Sequence, residues 1–172
     1  MMYRSTQYDS PVGRLTLCCC EDKLTGLWIE GQKYFGGSVS GEMVPGEASV
    51  LDQTRAWLDR YFAGERPDIG ELPLAPAGSP FRQMVWRLLC AIPCGQVSTY
   101  GELARRAAAE LGRPSMSAQA VGGAAGRNPI SIIIPCHRLV GADGSLTGYA
   151  GGLDRKQWLL RHEGAELEGR KI

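Results

Sequence analysis

The segment of residues 128–138, Asn-Pro-Ile-Ser-Ile-Ile-Ile-Pro-Cys-His-Arg, constrains this chain more than any other stretch. Its apolar, β-branched centre lies between two prolines, which predicts a short, buried, extended segment that leaves the core at Pro135. That exit would deliver Cys136 and His137 together. Because a thiol is nucleophilic only as the thiolate, which a neighbouring imidazole helps to form, the pair indicates a reactive cysteine. From these residues alone, a buried structural cysteine beside a surface histidine is the alternative.

Further motifs surround this segment in a fixed order. Asn128-Pro129 precedes it, Gly-Tyr-Ala-Gly-Gly follows at residues 148–152, and Trp-Leu-Leu-Arg-His-Glu-Gly follows at residues 158–164. Together with Pro-Cys-His-Arg, they resemble the O6-alkylguanine-DNA alkyltransferases, also called methylated-DNA-protein-cysteine methyltransferases. The resemblance covers residues 80–164, and Tyr-Asp-Ser-Pro-Val-Gly at residues 8–13 extends it more weakly towards the N-terminus.

The resemblance implies direct-reversal DNA repair. Such proteins transfer the alkyl group of O6-alkylguanine in DNA to their own cysteine as a stable thioether, and O4-alkylthymine is expected as a second substrate. The chain would therefore be a methylated-DNA-protein-cysteine S-methyltransferase that needs no cofactor and no metal. Nothing in the motifs supplies a second nucleophile for the thioether carbon, so each molecule is expected to react once.

The resemblance also implies a role for each catalytic residue. Cys136 would be the nucleophile, and His137 would take its proton, in the family through a bound water. Glu163 would orient the imidazole and stabilise its charge. Tyr100 would donate a proton to the departing guanine, and Asn128 would brace the turn around the cysteine. Without the resemblance, the favoured interpretation of Tyr100 would be a residue that only packs at a helix start.

A second set of residues is expected to bind DNA or the alkylated base. Its members are Ser117, Gln119, Arg127, Leu139, Tyr149, Ala150 and Gly151. In relatives an arginine of the recognition helix fills the gap left by the extruded base, whereas this chain has Gln119 there. The stretch between Tyr100 and Gln119 is also longer than is typical of the family. Both differences concern affinity for duplex DNA rather than alkyl transfer.

The composition is that of a globular protein. With 172 residues, of which 44% are hydrophobic and 22% charged, the chain can bury one good core or two small ones. No apolar run approaches the roughly 20 residues of a membrane span, and the start lacks a basic region followed by an apolar stretch. We therefore expect a cytoplasmic protein with no membrane partner. A monomer is expected as well, although no sequence feature determines the oligomeric state.

The six cysteines do not indicate a metal site. Cys18, Cys19 and Cys20 are consecutive, so their side chains would alternate between the faces of a strand. The two histidines, His137 and His162, lie far downstream. Structural thiols and no bound metal are therefore expected.

Charge is distributed unevenly along the chain. Residues 1–79 hold seven Lys/Arg and eleven Asp/Glu, a formal −4, whereas residues 80–172 hold twelve and seven, a formal +5. This asymmetry favours a polyanion that docks on the second half, with double-stranded DNA as the partner that the resemblance implies. An uneven scatter of solvated charges is the alternative.

The pattern predicts an N-terminal domain over residues 1–79. Three short strands, at 1–8, 14–20 and 24–29, would form an antiparallel sheet, and residues 31–46 an irregular, mobile connection. A helix capped by Ser49 and stopped by Gly64 would cover the sheet. A Pro-rich linker would end the domain.

Residues 80–172 are expected to form a mainly helical domain. Ser79-Pro80 begins one helix, the capping box of Thr99 and Glu102 a second, and Ser117 a third. The second and third predict a helix-turn-helix, although helical hairpins that do not bind DNA share this pattern. A last helix from residue 154 to 162 would leave Glu163 at its C-terminus, where the helix dipole disfavours a negative charge. Such a carboxylate is either surface decoration or has a functional partner.

These expectations combine into an α/β protein with a small N-terminal antiparallel sheet plus helix domain and a mainly helical C-terminal domain. Two other functions remain open. One is a non-enzymatic module that binds alkyl lesions, as alkyltransferase-like proteins do without a reactive cysteine. The other is a Cys-His hydrolase, which would need an oxyanion site and would turn over esters or peptides.

Overall fold

The computed structural model describes residues 2–167 and 170–172. The chain divides into two compact units. The first comprises Met1–Ala77 together with Pro129–Ile133, and the second comprises Gly78–Asn128 together with Ile134–Ile172. Helices and sheets occur in the chain together, so the predicted α/β class is confirmed.

The first unit contains a four-stranded sheet and one long helix. Its elements are β1 (Met2–Ser10), β2 (Gly13–Cys20), β3 (Lys23–Ile29), β4 (Glu42–Pro45) and α1 (Ser49–Phe62). The strand order is β3-β2-β1-β4, with antiparallel pairs between β1 and β2 and between β2 and β3. Central strand β2 is buried from Leu15 to Cys19, and Cys18 packs with Tyr3 and Trp28. Cys18, Cys19 and Cys20 form no disulfide bond within the described part of the chain.

Two N-terminal predictions were wrong. Part of the segment 31–46 is ordered as β4, which pairs in parallel with β1 through main-chain hydrogen bonds. Its side chains are only partly buried, so it lacks the alternation that identifies a strand in sequence. Helix α1 is capped at Ala48 without a side-chain hydrogen bond, so Ser49 lies inside the helix and is not its cap.

The outer edge of β3 pairs with two segments that are distant in sequence, around Leu74 and Ile130. Leu24 forms a parallel bridge with Leu74, and Leu27 forms one with Ile130. The Leu27 N–H donates to the Pro129 carbonyl at 2.9 Å, and the Ser131 N–H donates to the Leu27 carbonyl at 2.9 Å. These bonds satisfy main-chain groups that a sheet edge would otherwise leave open.

The apolar run after Pro129 is buried, as predicted, but it is not extended. Beyond Ile130 the main chain turns, and Ile132 has a φ of 72°, in the left-handed region that β-branched residues rarely adopt. The residues expected to continue as a strand therefore form a tight, buried turn. Periodicity could not reveal this, because buried turns and buried strands show the same apolar run.

A buried amide anchors this turn within the first unit. The Gln32 side-chain carbonyl accepts the Ile29 N–H at 2.7 Å and pairs with the Ser131 hydroxyl at 3.1 Å. Gln32 and Ser131 are both buried. The segment before Cys136 is thus held by main-chain bonds to β3 and by side-chain bonds to Gln32, in the turn that follows β3.

The second unit is mainly helical. Its elements are α2 (Pro80–Cys90), β5 (Ser98–Thr99), α3 (Tyr100–Leu111), α4 (Ala118–Gly126), β6 (Leu139–Val140), α5 (Leu153–His162), β7 (Glu166–Leu167) and β8 (Arg170–Lys171). Strand β5 pairs in parallel with β6, and β7 pairs antiparallel with β8. Among the described residues, no helix is both long and apolar enough to cross a bilayer.

The predicted helix starts of this unit are confirmed. Ser79 caps α2, the reciprocal bonds of Thr99 and Glu102 form a capping box at α3, and Ser117 caps α4. Gly112 ends α3 in the left-handed conformation, with a φ of 65°. Helix α5 begins at Leu153, one residue earlier than expected. Helices α3 and α4 pack against each other across a short connection, and their use as a DNA-reading helix-turn-helix stays a prediction.

We predict that Gln32→Leu destabilises the protein by about 1 to 3 kcal/mol, because two buried donors lose their acceptor. Urea unfolding measures the change. Lys33→Leu, at the exposed neighbouring position, is the matched control and should leave the free energy of unfolding nearly unchanged. Equal stability of Gln32→Leu and the wild type would mean that this buried bond network contributes nothing to the anchoring of residues 129–133.

Candidate active site

The carbonyl of Ile134 accepts hydrogen bonds from residues on both sides of it, Asn128 before the turn and Cys136 after it. Asn128 and Ile134, which flank the turn, both belong to the second unit. The Asn128 side-chain amide donates to the Ile134 carbonyl at 2.7 Å, and the Cys136 N–H donates to the same carbonyl at 2.9 Å. Pro135, with φ −86° and ψ 63°, makes the reversal between them. Cys136 then begins a 3-10 turn over Cys136–Arg138.

His137 and Glu163 form a buried pair. The His137 Nε2 lies 2.7 Å from the Glu163 Oε2, and both side chains are completely buried. Glu163 caps the C-terminus of α5, as the sequence predicted, but it lies in the core rather than on the surface. The Arg138 guanidinium binds the same carboxylate through Nε and Nη2, at 2.8 and 3.1 Å.

These contacts assign the tautomer of His137. An ionised carboxylate can only accept hydrogen bonds, so Nε2 carries the proton that Glu163 accepts, and the neutral ring has its lone pair on Nδ1. His137 Nδ1 is buried and has no hydrogen-bond partner among the residues that the structure describes. This nitrogen is therefore available to accept a proton.

The Glu163 carboxyl is held ionised by its partners. Burial alone would raise its pKa, but the hydrogen bonds from His137 and Arg138 and the positive charge of Arg138 outweigh burial and hold the pKa well below its usual range. Glu163 thus carries a full negative charge in a dry environment, which fixes the imidazole in one orientation.

The Cys136 thiol is nearly inaccessible. Its side chain is buried, and burial raises the pKa of the Cys136 thiol, against the opposing effects of a hydrogen bond from Asn128 and the charge of Lys156. The Asn128 amide donates to Sγ at 3.3 Å. Because the protonated thiol is favoured at rest, a base has to remove its proton when the thiolate is needed.

Lys156 is a site residue that the sequence analysis missed. It is fully buried on α5, its ammonium donates to the Thr147 carbonyl at 2.8 Å, and burial lowers its pKa to about 8 while Cys136 opposes this. The spacing of Lys156 to Leu159, Leu160 and Glu163 puts all four on the same face of the helix. A lysine within this apolar stripe was the available clue.

Tyr100 lies at the start of α3, with its hydroxyl turned towards the loop that follows β6. The hydroxyl donates to the Thr147 carbonyl at 2.8 Å and lies 3.3 Å from the Gly148 carbonyl. Burial raises the pKa of this phenol, and the hydrogen bond to Thr147 opposes the rise. Tyr100 and Lys156 therefore share one carbonyl, that of Thr147.

The same loop brings part of the predicted base pocket to the site. The Tyr149 ring lies edge-on to His137, with ring centroids 6.4 Å apart. Ala150 and Gly151 are half-buried beside it in the chain, and the fully buried Leu139 pairs with Ser98 between β6 and β5. Within the described part of the chain, neither Ala150 nor Gly151 has a recorded contact with the Cys136 thiol.

The remaining predicted residues lie at the two ends of α4. Ser117 and Gln119 are exposed at its start, where the Ser117 hydroxyl accepts the Ala120 N–H at 3.3 Å. Arg127 is exposed at its end. Their side chains belong to a surface of α4, separate from the buried group around Cys136.

Comparison with known families agrees with this architecture. A profile described as "6-O-methylguanine DNA methyltransferase, DNA binding domain" matches residues 80–165, and one described as its "ribonuclease-like domain" matches residues 2–76. The chain belongs to the 6-O-methylguanine DNA methyltransferase family. The resemblance inferred from its motifs is thereby confirmed.

Individual members of the methyltransferase family match at different lengths. A methylated-DNA-protein-cysteine methyltransferase of Haemophilus influenzae is 42% identical, over 92% of this chain and 84% of the relative. One of Shigella flexneri is 57% identical over 62% of this chain, and the match spans 60% of the length of that relative. The crystal structure of Mycobacterium tuberculosis OGT in complex with DNA matches with a TM-score of 0.77 and 39% identity, over 95% of this chain and 93% of that one.

Because of the buried pair, we predict that Glu163→Gln lowers the free energy of unfolding by an amount that depends on pH. The depressed pKa means that the unfolded state binds more protons than the folded state at acidic pH, so the stabilisation by Glu163 is present at neutral pH and is lost as the pH falls below about 4. The gap in free energy of unfolding between wild type and variant should therefore narrow towards low pH. Urea unfolding between neutral and acidic pH measures it.

Glu110→Gln provides the control, because Glu110 forms an exposed pair with Arg87 at 2.7 Å. We expect no comparable narrowing for this variant. A Glu163→Gln gap that stays constant with pH would contradict the assignment of a strongly depressed carboxyl.

Proposed function

We propose that this protein transfers the alkyl group of O6-alkylguanine in DNA, and of O4-alkylthymine, to the sulfur of Cys136. The observation that carries the proposal is the buried pair of His137 and Glu163, which leaves His137 Nδ1 without a hydrogen-bond partner in the residue that directly follows Cys136. Membership of the methyltransferase family supports the substrate class.

In the proposed reaction, His137 Nδ1 accepts the thiol proton through an intervening water, and Glu163 stabilises the imidazolium that forms. Asn128 and Lys156 stabilise the thiolate, through a hydrogen bond and a positive charge. The sulfur attacks the alkyl carbon in line with the bond to O6, which breaks, and the electron pair leaves with the guanine. The products are a thioether on Cys136 and an unmodified base.

The departing guanine anion takes a proton, and we propose Tyr100 as its donor. The hydroxyl is engaged with the carbonyl of Thr147, so a bound base would replace that carbonyl as the acceptor. Lys156 donates to the same carbonyl and would keep it satisfied after the exchange. Tyr149, Ala150, Gly151 and the main chain of Leu139 would line the pocket that holds the base.

The proposed reaction consumes the protein. A thioether has no good leaving group, so a neighbouring nucleophile such as the His137 imidazole would not displace the sulfur of Cys136 from the alkyl carbon, and the ammonium of Lys156 is directed at Thr147. We therefore propose one turnover per molecule, without cofactor or metal. Among the described residues there is no group of His, Cys, Asp and Glu that could hold a metal ion.

Double-stranded DNA is the proposed partner, bound by the second unit. The target base has to leave the stack before its O6 is open to in-line attack, at a cost of a few kcal/mol. The formal +5 of residues 80–172 and the exposed α4, with Ser117, Gln119 and Arg127, support this side of the chain as the DNA surface. The OGT of Mycobacterium tuberculosis was crystallised with DNA. We propose further that the protein acts as a monomer in the cytoplasm.

One experiment distinguishes alkyl transfer from the other two functions. The protein is incubated with an alkylated guanine in DNA and, separately, with a panel of esters and peptides, and its intact mass is then measured. Alkyl transfer predicts a single covalent adduct of one alkyl group per molecule. Binding without adduct would indicate a lesion-binding module, and repeated release of product from an ester or peptide would indicate a hydrolase.

Cys136→Ser is predicted to abolish alkyl transfer while it leaves binding to alkylated DNA largely intact. The hydroxyl preserves the size of the side chain but cannot form an anion of accessible pKa. Cys94→Ser is the matched control and should react like the wild type. Peptide mapping of the wild-type adduct gives a further check, and an alkyl group found on Cys90 or Cys94 would contradict the assignment.

Gln119→Arg is predicted to accelerate the reaction with duplex DNA but not with a free alkylated guanine base. An arginine offers a charge to nearby phosphates and a plane for stacking, so it would stabilise the extruded state by about 1 to 3 kcal/mol, or roughly tenfold to a hundredfold in affinity. The free base needs no extrusion. Single-turnover rates with both substrates measure the difference.

Ala120→Arg, at the exposed neighbouring position of α4, controls for added positive charge. A duplex rate that rises equally in both variants would reflect charge alone. If Gln119→Arg accelerates neither reaction, Gln119 does not occupy the position of the inserted residue, and Arg105, Arg106 or Arg113 of the longer preceding segment becomes the candidate.

A further inference from the structure

Arg138 is the most completely engaged charged side chain near Cys136. Its three guanidinium nitrogens donate to Glu163 Oε1 at 2.8 Å, to Glu163 Oε2 at 3.1 Å and to the Ile92 carbonyl at 2.6 Å. The side chain is buried, and it follows His137 directly in the 3-10 turn. A planar fork held at three acceptors has little freedom to move.

The geometry makes Arg138 and His137 compete for one oxygen. Glu163 Oε2 accepts from His137 Nε2 at 2.7 Å and from Arg138 Nη2 at 3.1 Å. A buried carboxylate that faced the imidazole alone would attract a second proton onto the ring, because an ion pair costs less in a dry site than an isolated charge. With Arg138 in place, the carboxylate already has its countercharge.

Other charged and titratable groups also lie around His137. Cys136 precedes it in the same turn, Tyr149 faces it from the loop before α5, and Glu163 closes it from the end of α5. Lys156 acts electrostatically on Cys136, as does Tyr100 from α3, and Cys90 of α2 interacts with Arg138. The guanidinium of Arg138 is a cation bonded directly to the Glu163 carboxylate, through Nε and Nη2.

We propose that Arg138 is a positioning residue for alkyl transfer: it clamps and charge-compensates Glu163, so that His137 stays a neutral base with its lone pair on Nδ1. The inference rests on the proposed function of Cys136 and adds a fourth member to the relay. Arg138 touches neither the thiol nor the reacting atoms, and it acts through the carboxylate of Glu163.

The account predicts a shift in pH dependence and not only a loss of rate. In Arg138→Met, His137 should hold a second proton to higher pH, so the acid limb of the single-turnover pH–rate profile should move upward by about one pH unit, as expected for an uncompensated neighbouring charge. Arg138→Lys keeps the positive charge but loses the planar guanidinium. The acid limb of its pH–rate profile should lie between those of Arg138→Met and the wild type. Arg87→Met, which breaks an exposed Arg–Glu pair, should leave the profile unchanged.

A double variant distinguishes this role from a structural one. In a Glu163→Gln background the carboxylate charge is absent, so adding Arg138→Met should no longer move the limb. This double variant also leaves no unpaired buried charge, which protects its folding. The inference would be overturned if Arg138→Met left the acid limb in place or moved it to lower pH. It would also be overturned if Arg138→Met moved the acid limb equally in the wild-type and Glu163→Gln backgrounds. A wild type that forms no adduct at all would instead overturn the proposed function.

Discussion

The buried carboxylate of Glu163 is the group on which the site depends. A charge in the core is tolerated only when it is paired and hydrogen-bonded, and Glu163 satisfies this condition with two partners from the same 3-10 turn, His137 and Arg138. The pairing joins the end of α5 to the turn that begins with Cys136. The same contacts that satisfy the charge therefore set which imidazole nitrogen is free, so structural and chemical requirements meet at one side chain.

The path of the chain before this turn explains how the cysteine is held. Asn128 and Ile134 are joined by a side-chain bond across an excursion of five residues, Pro129–Ile133, which groups with the first unit and hydrogen-bonds to β3. Ile132 adopts a left-handed conformation that costs energy for a β-branched residue, so the surrounding bonds over-determine it. We propose that a rigid approach of this kind limits the positions that Sγ can take.

The sequence predicted local features better than those that depend on distant parts of the chain. Thr99 with Glu102 and Ser79 with Pro80 define helix starts within four residues, and both were correct. The awkward placement of Glu163 at a helix end indicated a partner, but its burial depends on a turn 25 residues earlier. Lys156 and β4 were missed because their environments come from distant segments, and the turn at Ile132 was missed because an apolar run does not reveal its conformation.

Nitrogen-15 NMR of the His137 ring tests the central claim most directly, since it reports the protonation of each ring nitrogen. The experiment compares wild type with His137→Gln to assign the resonances, at neutral pH and without DNA. The account predicts a neutral ring with the proton on Nε2 and an unprotonated Nδ1, as the bond to Glu163 requires. A proton on Nδ1, in either the opposite tautomer or the imidazolium, would contradict the assignment of His137 as a base poised to accept the thiol proton.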